Sequence, residues 1–132
     1  MIVVDASVLA PAVLSMTESD TRLRRALEHR ELAAPDHVNL EVMSILRKYC
    51  RRNVLTEERA GLALFDLKEL AIERVPLAAL EIRIWELRHN VTSYDAAYVA
   101  LAERFGAELW TFDRKLANAP GAECVIKVPE FH

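Results

Sequence analysis

Two periods of hydrophobicity alternate along this chain. Short apolar runs at 2–5 (IVVD), 31–35 (ELAAP), 72–75 (IERV), 108–113 (ELWTFD) and 124–128 (CVIKV) have the length of buried strands, and most are β-branched or end on a turn signal. Between them lie longer stretches in which apolar residues return every three or four positions, the mark of a helix with one face in a core. Helices are expected from about Ser7, with Pro11 in or near the first turn, and over 17–30, where Thr17 and Asp20 stand at capping-box spacing. From Asp36 to Arg52 the residues Val38, Val42, Ile45, Leu46 and Tyr49 form one apolar stripe, with Glu41 at its edge. Thr56 is placed to cap a helix over 57–71 that turns Ala60, Ala63, Leu64, Leu67 and Ala71 inward and Leu62 and Phe65 to the opposite side. Further helices are expected over 77–89, 93–105 and 114–119, and the second of these is apolar in nearly every direction, as a helix buried on several sides must be. Strands alternating with helices imply a parallel sheet covered on both faces.

At 132 residues the chain has the size of a single domain, 1–132. The net charge of −3 excludes a strongly basic coat and leaves room for a local basic patch. The opening MIVVDAS lacks a basic n-region and meets an acid after four residues, so neither a signal peptide nor a membrane span is expected there. Cys50 and Cys124 form no CxxC pair and are expected as reduced, packed thiols, which makes the cytoplasm the expected compartment. His29, His37, His89 and His132 fall into no metal-ligand spacing and are expected at the surface or at caps. There is no phosphate-binding glycine loop and no serine nucleophile elbow.

Four acids stand where packing alone would not put them. Asp5 ends the first strand, Asp113 follows the fourth, and Asp95 and Glu41 occupy early turns of helices beside apolar residues. Each aspartate also has a structural role open to it: Asp5 and Asp113 can cap the helices that follow, and Asp95 lies three residues after Thr92. Glu41 has no capping role. In a doubly wound sheet the carboxyl ends of the strands and the following helix starts share one edge, so all four can meet in one pocket. Two carboxylates about 5 Å apart repel by roughly 3 kcal/mol at an effective dielectric near 20, so such a pocket calls for protons or a cation. All-oxygen ligands without thiolate or imidazole point to Mg²⁺ or Mn²⁺.

The segments VVDAS, LEVMSILRK and SYDAAYVALAERFGAELWTFDRKL, together with the chain length, resemble the PIN-domain ribonucleases, in particular VapC-type toxins of prokaryotic toxin–antitoxin pairs. The resemblance implies a three-layer α/β/α sandwich around a parallel sheet of about five strands. It further implies an acidic quartet, Asp5, Glu41, Asp95 and Asp113, that holds Mg²⁺ or Mn²⁺ for RNA hydrolysis, with Ser7 and Thr111 in support. Some members carry another acid where this chain has Lys115. Of the four, Asp5, Asp95 and Asp113 are assigned to the metal and Glu41 to the attacking water. Arg114 and Lys115 are candidates for phosphate contacts, whereas Arg47, Lys48, Arg51 and Arg52 read as a solvated face complementing a helix C-terminus. The expected partners are RNA, a VapB-type antitoxin docking near Leu62 and Phe65, and a second copy of the chain in a homodimer. Two other functions remain in view: a phosphatase of the haloacid dehalogenase type, which needs a second acid where Ser7 stands, and a non-catalytic binding module.

Overall fold

In the computed structural model, which describes residues 1–131, the apolar runs form five short strands: β1 (Ile2–Val4), β2 (Leu32–Pro35), β3 (Ile72–Val75), β4 (Glu108–Trp110) and β5 (Ile126–Lys127). All pair in parallel, in the order β3-β2-β1-β4-β5. Every residue of β1 and β2 is buried, as expected of inner strands in a sheet covered on both faces. The helices are α1 (Ala6–Leu14), α2 (Glu18–Glu28), α3 (Val38–Arg51), α4 (Glu57–Glu69), α5 (Glu81–Glu86), α6 (Ser93–Phe105) and α7 (Arg114–Ala117). One group packs around α1, which touches α2, α3 and α4; in the other, α6 lies on β1, β2 and β4 and against α5. The result is a three-layer α/β/α sandwich with five parallel strands.

Local chemistry sets the helix ends that matter. Thr17, Thr56 and Thr92 each accept the backbone N–H three residues on, from Asp20, Arg59 and Asp95 at 3.1, 3.1 and 3.2 Å. At the far end of α6 the chain leaves through Gly106 at φ +60°, a left-handed cap that glycine adopts without a Cβ penalty. Every residue of α6 from Ala96 to Ala102 is buried, as its all-round apolar sequence requires.

Several boundaries differ from the sequence pattern, each for a physical reason. Pro11 lies inside α1 and not in its first turn. The ring forfeits one helical bond at about 3 kcal/mol, but Val8, Leu9, Val13 and Leu14 on the same helix are buried at roughly 1.5–3 kcal/mol each, so the helix runs on. The stretch 77–89 is not one helix but a 3₁₀ turn (Leu77–Leu80) followed by the six residues of α5. Ile82 and Trp85 there are 82% and 66% exposed, so no apolar stripe holds a longer helix to the core. Ala71 is exposed and outside α4, because Leu70 turns to an extended conformation to enter β3. The strand expected over 108–111, before the turn to Asp113, stops at Trp110, where the chain bends toward Asp5, and β5 keeps only two of five expected residues. His132 lies outside the described residues.

The strand order places the functional edge. β1 has β2 on one side and β4 on the other, so the chain crosses the sheet to β4 only after completing β3 at the far edge. The carboxyl ends of β1 and β4 therefore flank the switch point at which open α/β sheets form a crevice. Because α6 returns the chain to the start of β4, its own N-terminus faces the same edge.

Candidate active site

Asp5, the residue after β1, is 5% exposed and tied down from three directions. Its Oδ1 accepts the Ser7 hydroxyl at 2.6 Å and the Val8 N–H at 3.3 Å, while Oδ2 accepts the Thr111 hydroxyl at 2.5 Å. Burial is the largest influence on this carboxyl and outweighs those donors, pushing its pKa from 3.8 up to about 6. Asp5 is thus a cap of α1 and a pocket residue at once. Ser7 and Thr111 do more than donate to it: Ser7 Oγ accepts the Phe112 N–H at 2.8 Å and Thr111 Oγ1 accepts the Asp113 N–H at 3.0 Å. Two hydroxyls therefore fasten the turn after β4 onto the end of β1.

Asp113 likewise serves a helix start, its Oδ1 accepting the Lys115 N–H at 2.9 Å. Asp95 follows Thr92 into the first turn of α6 and is half-buried. Burial, and then the nearby Asp113 and Glu41 carboxylates, raise its pKa. Glu41, in the first turn of α3, behaves in the opposite way. Burial pushes it up, but hydrogen bonds from His37 and Tyr98 win and hold it below the ordinary glutamate range.

Two members of the site are not among the sequence candidates. Tyr98 of α6 donates its hydroxyl to Glu41 Oε1 at 2.5 Å, and burial followed by Glu41 itself raises the phenol pKa, so the group stays a protonated donor. His37 was expected at the surface or at a cap. It holds the N-cap position of α3 but makes no side-chain cap bond and is buried. Its Nε2 lies 3.3 Å from Glu41 Oε1 and 3.2 Å from the Tyr94 carbonyl, and its Nδ1 is buried without a partner. The only signals in the sequence were spacings: His37 is four residues before Glu41, and Tyr98 is three after Asp95, one turn in each case.

Asp5, Glu41, Asp95 and Asp113 line one pocket of about 510 Å³, with Ser7, His37 and Tyr98 among the other walls. No lysine or arginine among the described residues lines it. Among the described residues no three acids, histidines or cysteines stand close enough to form a ready-made cation cage. The donor set nonetheless fits a hard cation, since it offers buried, mutually repelling carboxylate oxygens with no lysine or arginine among the described lining residues and only His37 beside them to offset their charge. Mg²⁺ characteristically keeps several waters and takes only one or two carboxylates directly, so the pocket need not close around it.

Residues 2–122 match the sequence profile of the PIN domain. The chain belongs to the PIN-domain family, among the VapC ribonucleases. It is 39% identical over 128 residues to Ribonuclease VapC9 of Mycobacterium tuberculosis, covering 97% of this chain and 98% of that one. The fold is similar to that of the crystal structure of M. tuberculosis VapC20, described as a sarcin-ricin loop cleaving toxin, at a TM-score of 0.70 and 21% identity over 98% of this chain and 100% of the other. It is also similar to a chain of a toxin–antitoxin complex from Klebsiella pneumoniae, at a TM-score of 0.67 and 20% identity over 98% of each. In this PIN domain the candidate phosphate-binding residues Arg114 and Lys115 are exposed on the first turn of α7, directly after Asp113. Leu62 and Phe65 are 59% and 61% exposed on α4.

Proposed function

We propose that this PIN-domain protein is a Mg²⁺- or Mn²⁺-dependent endoribonuclease that hydrolyses RNA phosphodiester bonds and is held in check by a VapB-type antitoxin. The observation that carries the reading is the convergence of four carboxylates, from the end of β1, α3, α6 and the turn after β4, on one pocket lined by no lysine or arginine among the described residues. Asp5, Asp95 and Asp113 would hold the ion, directly or through water. When bound, such a cation stabilises charge on the phosphate oxygens and acidifies a water molecule. The chain's own groups do the rest. Ser7 and Thr111 fix the Asp5 carboxylate against rotation. Tyr98 and His37 occupy Glu41 Oε1 and keep the group ionised, leaving Oε2 without a protein donor among the described residues and able to accept a proton from the attacking water. The phosphatase alternative loses its general acid, because Ser7 stands in that position and spends its proton on Asp5.

Exposed Leu62 and Phe65 on α4, and Leu40 and Met43 on the neighbouring α3, support a docked antitoxin segment with apolar anchors. A basic side chain of that segment entering the pocket would replace the cation's charge. Purified protein incubated with RNA is expected to cut in Mn²⁺ and to stop in EDTA. Equal cutting in EDTA, with contaminating nuclease excluded, rejects the metal-dependent reading.

A further inference from the structure

A second groove, of about 320 Å³, opens beside the acidic pocket, and Ser7 and Ile45 belong to both. Its remaining walls are Ala10 and Pro11 from α1 and Lys48, Tyr49 and Arg52 from α3 and its C-cap. Along α3, Glu41, Ile45, Lys48 and Arg52 are separated by four, three and four residues, which places them on one stripe of the helix. At 1.5 Å per residue, Lys48 and Arg52 lie about 10 and 16 Å from Glu41 along the axis. Both are exposed, and neither side chain has an acidic partner among the described residues. The helix dipole accounts for cations near a C-terminus. It does not account for their line: Arg47 and Arg51 are as close to that end but do not line the groove.

We propose that this groove carries the single-stranded RNA flanking the scissile bond, with Lys48 and Arg52 on successive backbone phosphates and a base resting against the apolar floor of Pro11, Ile45 and Tyr49. The proposal rests on the ribonuclease reading above. An acidic pocket repels the polyanion it must hold, so the strand needs cations close by that no carboxylate already neutralises. A sequence-tolerant track of this kind combines a basic groove with a flat apolar or aromatic surface. Single-stranded RNA is favoured over a protein segment because the free charges continue the stripe that begins at Glu41.

The test compares two double variants that remove the same charge from the same helix. Lys48→Gln with Arg52→Gln alters the groove, and Arg47→Gln with Arg51→Gln alters the residues outside it. Cleavage of a fluorescein-labelled single-stranded RNA of mixed sequence is followed in Mn²⁺ over a range of KCl. For the groove pair, KM is expected to rise on the order of ten-fold with kcat within two-fold of wild type. The dependence of log(kcat/KM) on log[KCl] should become shallower by about 1.4, the counterion release of two single-strand phosphate contacts. The control pair should stay within two-fold of wild type. An equal loss in the control pair means a diffuse field and overturns the track. Unchanged KM in the groove pair also overturns it, and if antitoxin affinity falls instead, the groove belongs to the protein partner. A wild-type protein that cuts no RNA rejects the ribonuclease reading and this track with it; a wild type that cuts, with groove variants that cut equally well, rejects the track alone.

Discussion

Asp5 shows how one residue can cap a helix and line a pocket at once. Its backbone and Oδ1 begin α1, and its burial raises the pKa from 3.8 to about 6, a shift worth about 3 kcal/mol. Between those two values the folded protein holds more protons than the unfolded chain, so stability falls as pH rises through that window and the full cost stands above about pH 6. Asp5→Asn removes the cost but also loses one hydroxyl partner at about 1 kcal/mol, since an amide has one acceptor oxygen. In EDTA at pH 7 the variant is therefore expected to be more stable than wild type by about 2 kcal/mol, with the gain gone by pH 4, while cleavage in Mn²⁺ collapses. Asp95→Asn should share that sign, because its carboxyl is raised by burial and by Asp113 and Glu41, and its backbone N–H on Thr92 is untouched by the change. Denaturant unfolding beside a cleavage assay checks both. A destabilised Asp95→Asn protein that still cuts RNA would leave Asp95 a helix-start residue only.

At the scale of elements, the site depends on α6 meeting α3. Thr92 fixes where α6 begins and hence where Asp95 points, and one turn later Tyr98 reaches across to Glu41. Such a supporting bond typically matters 10–100-fold to activity when removed. Tyr98→Phe is expected to keep the fold, at a stability cost of about 1 kcal/mol, and to lower kcat by that range with KM little changed. His37 alone would then hold Glu41 Oε1. Wild-type kcat in Tyr98→Phe would show that the orientation of Glu41 does not limit the reaction.

At the scale of the whole molecule, the proposed function divides catalysis, substrate grip and partner binding among the acidic pocket, the basic groove and the apolar α4 surface. Charge on α4 should therefore affect the partner alone. Phe65→Asp replaces a 61% exposed ring, so folding and RNA cleavage are expected to be unchanged while affinity for the cognate antitoxin falls at least ten-fold. Calorimetric titration with the antitoxin checks it, and unchanged affinity rejects that placement of the partner. Among the described residues no helix is long and apolar enough to cross a membrane.

The sequence by itself determined the elements whose cause is local. Period-two and period-3.6 patterns, three threonine caps and the glycine after α6 depend on neighbours within a few residues, and those elements stand where the pattern put them. The four acids were legible too, because carboxylates at strand ends and helix starts are conspicuous against apolar neighbours. Other features depended on what lay across the fold. Leu77–Glu86 broke into two short turns because no core face met Ile82 and Trp85, and Pro11 was kept inside α1 by the burial of its neighbours. The same limit hid His37, which read as a cap or surface histidine, and Tyr98, which carried no reading of its own, because only the fold brings the starts of α3 and α6 within hydrogen-bonding reach. Lys48 and Arg52 read as a solvated helix end for the same reason: only the packing of α1 against α3 makes a groove of their stripe and joins it to the acids. Periodicity records which face of a helix is buried, but what that face meets is a property of the tertiary structure alone.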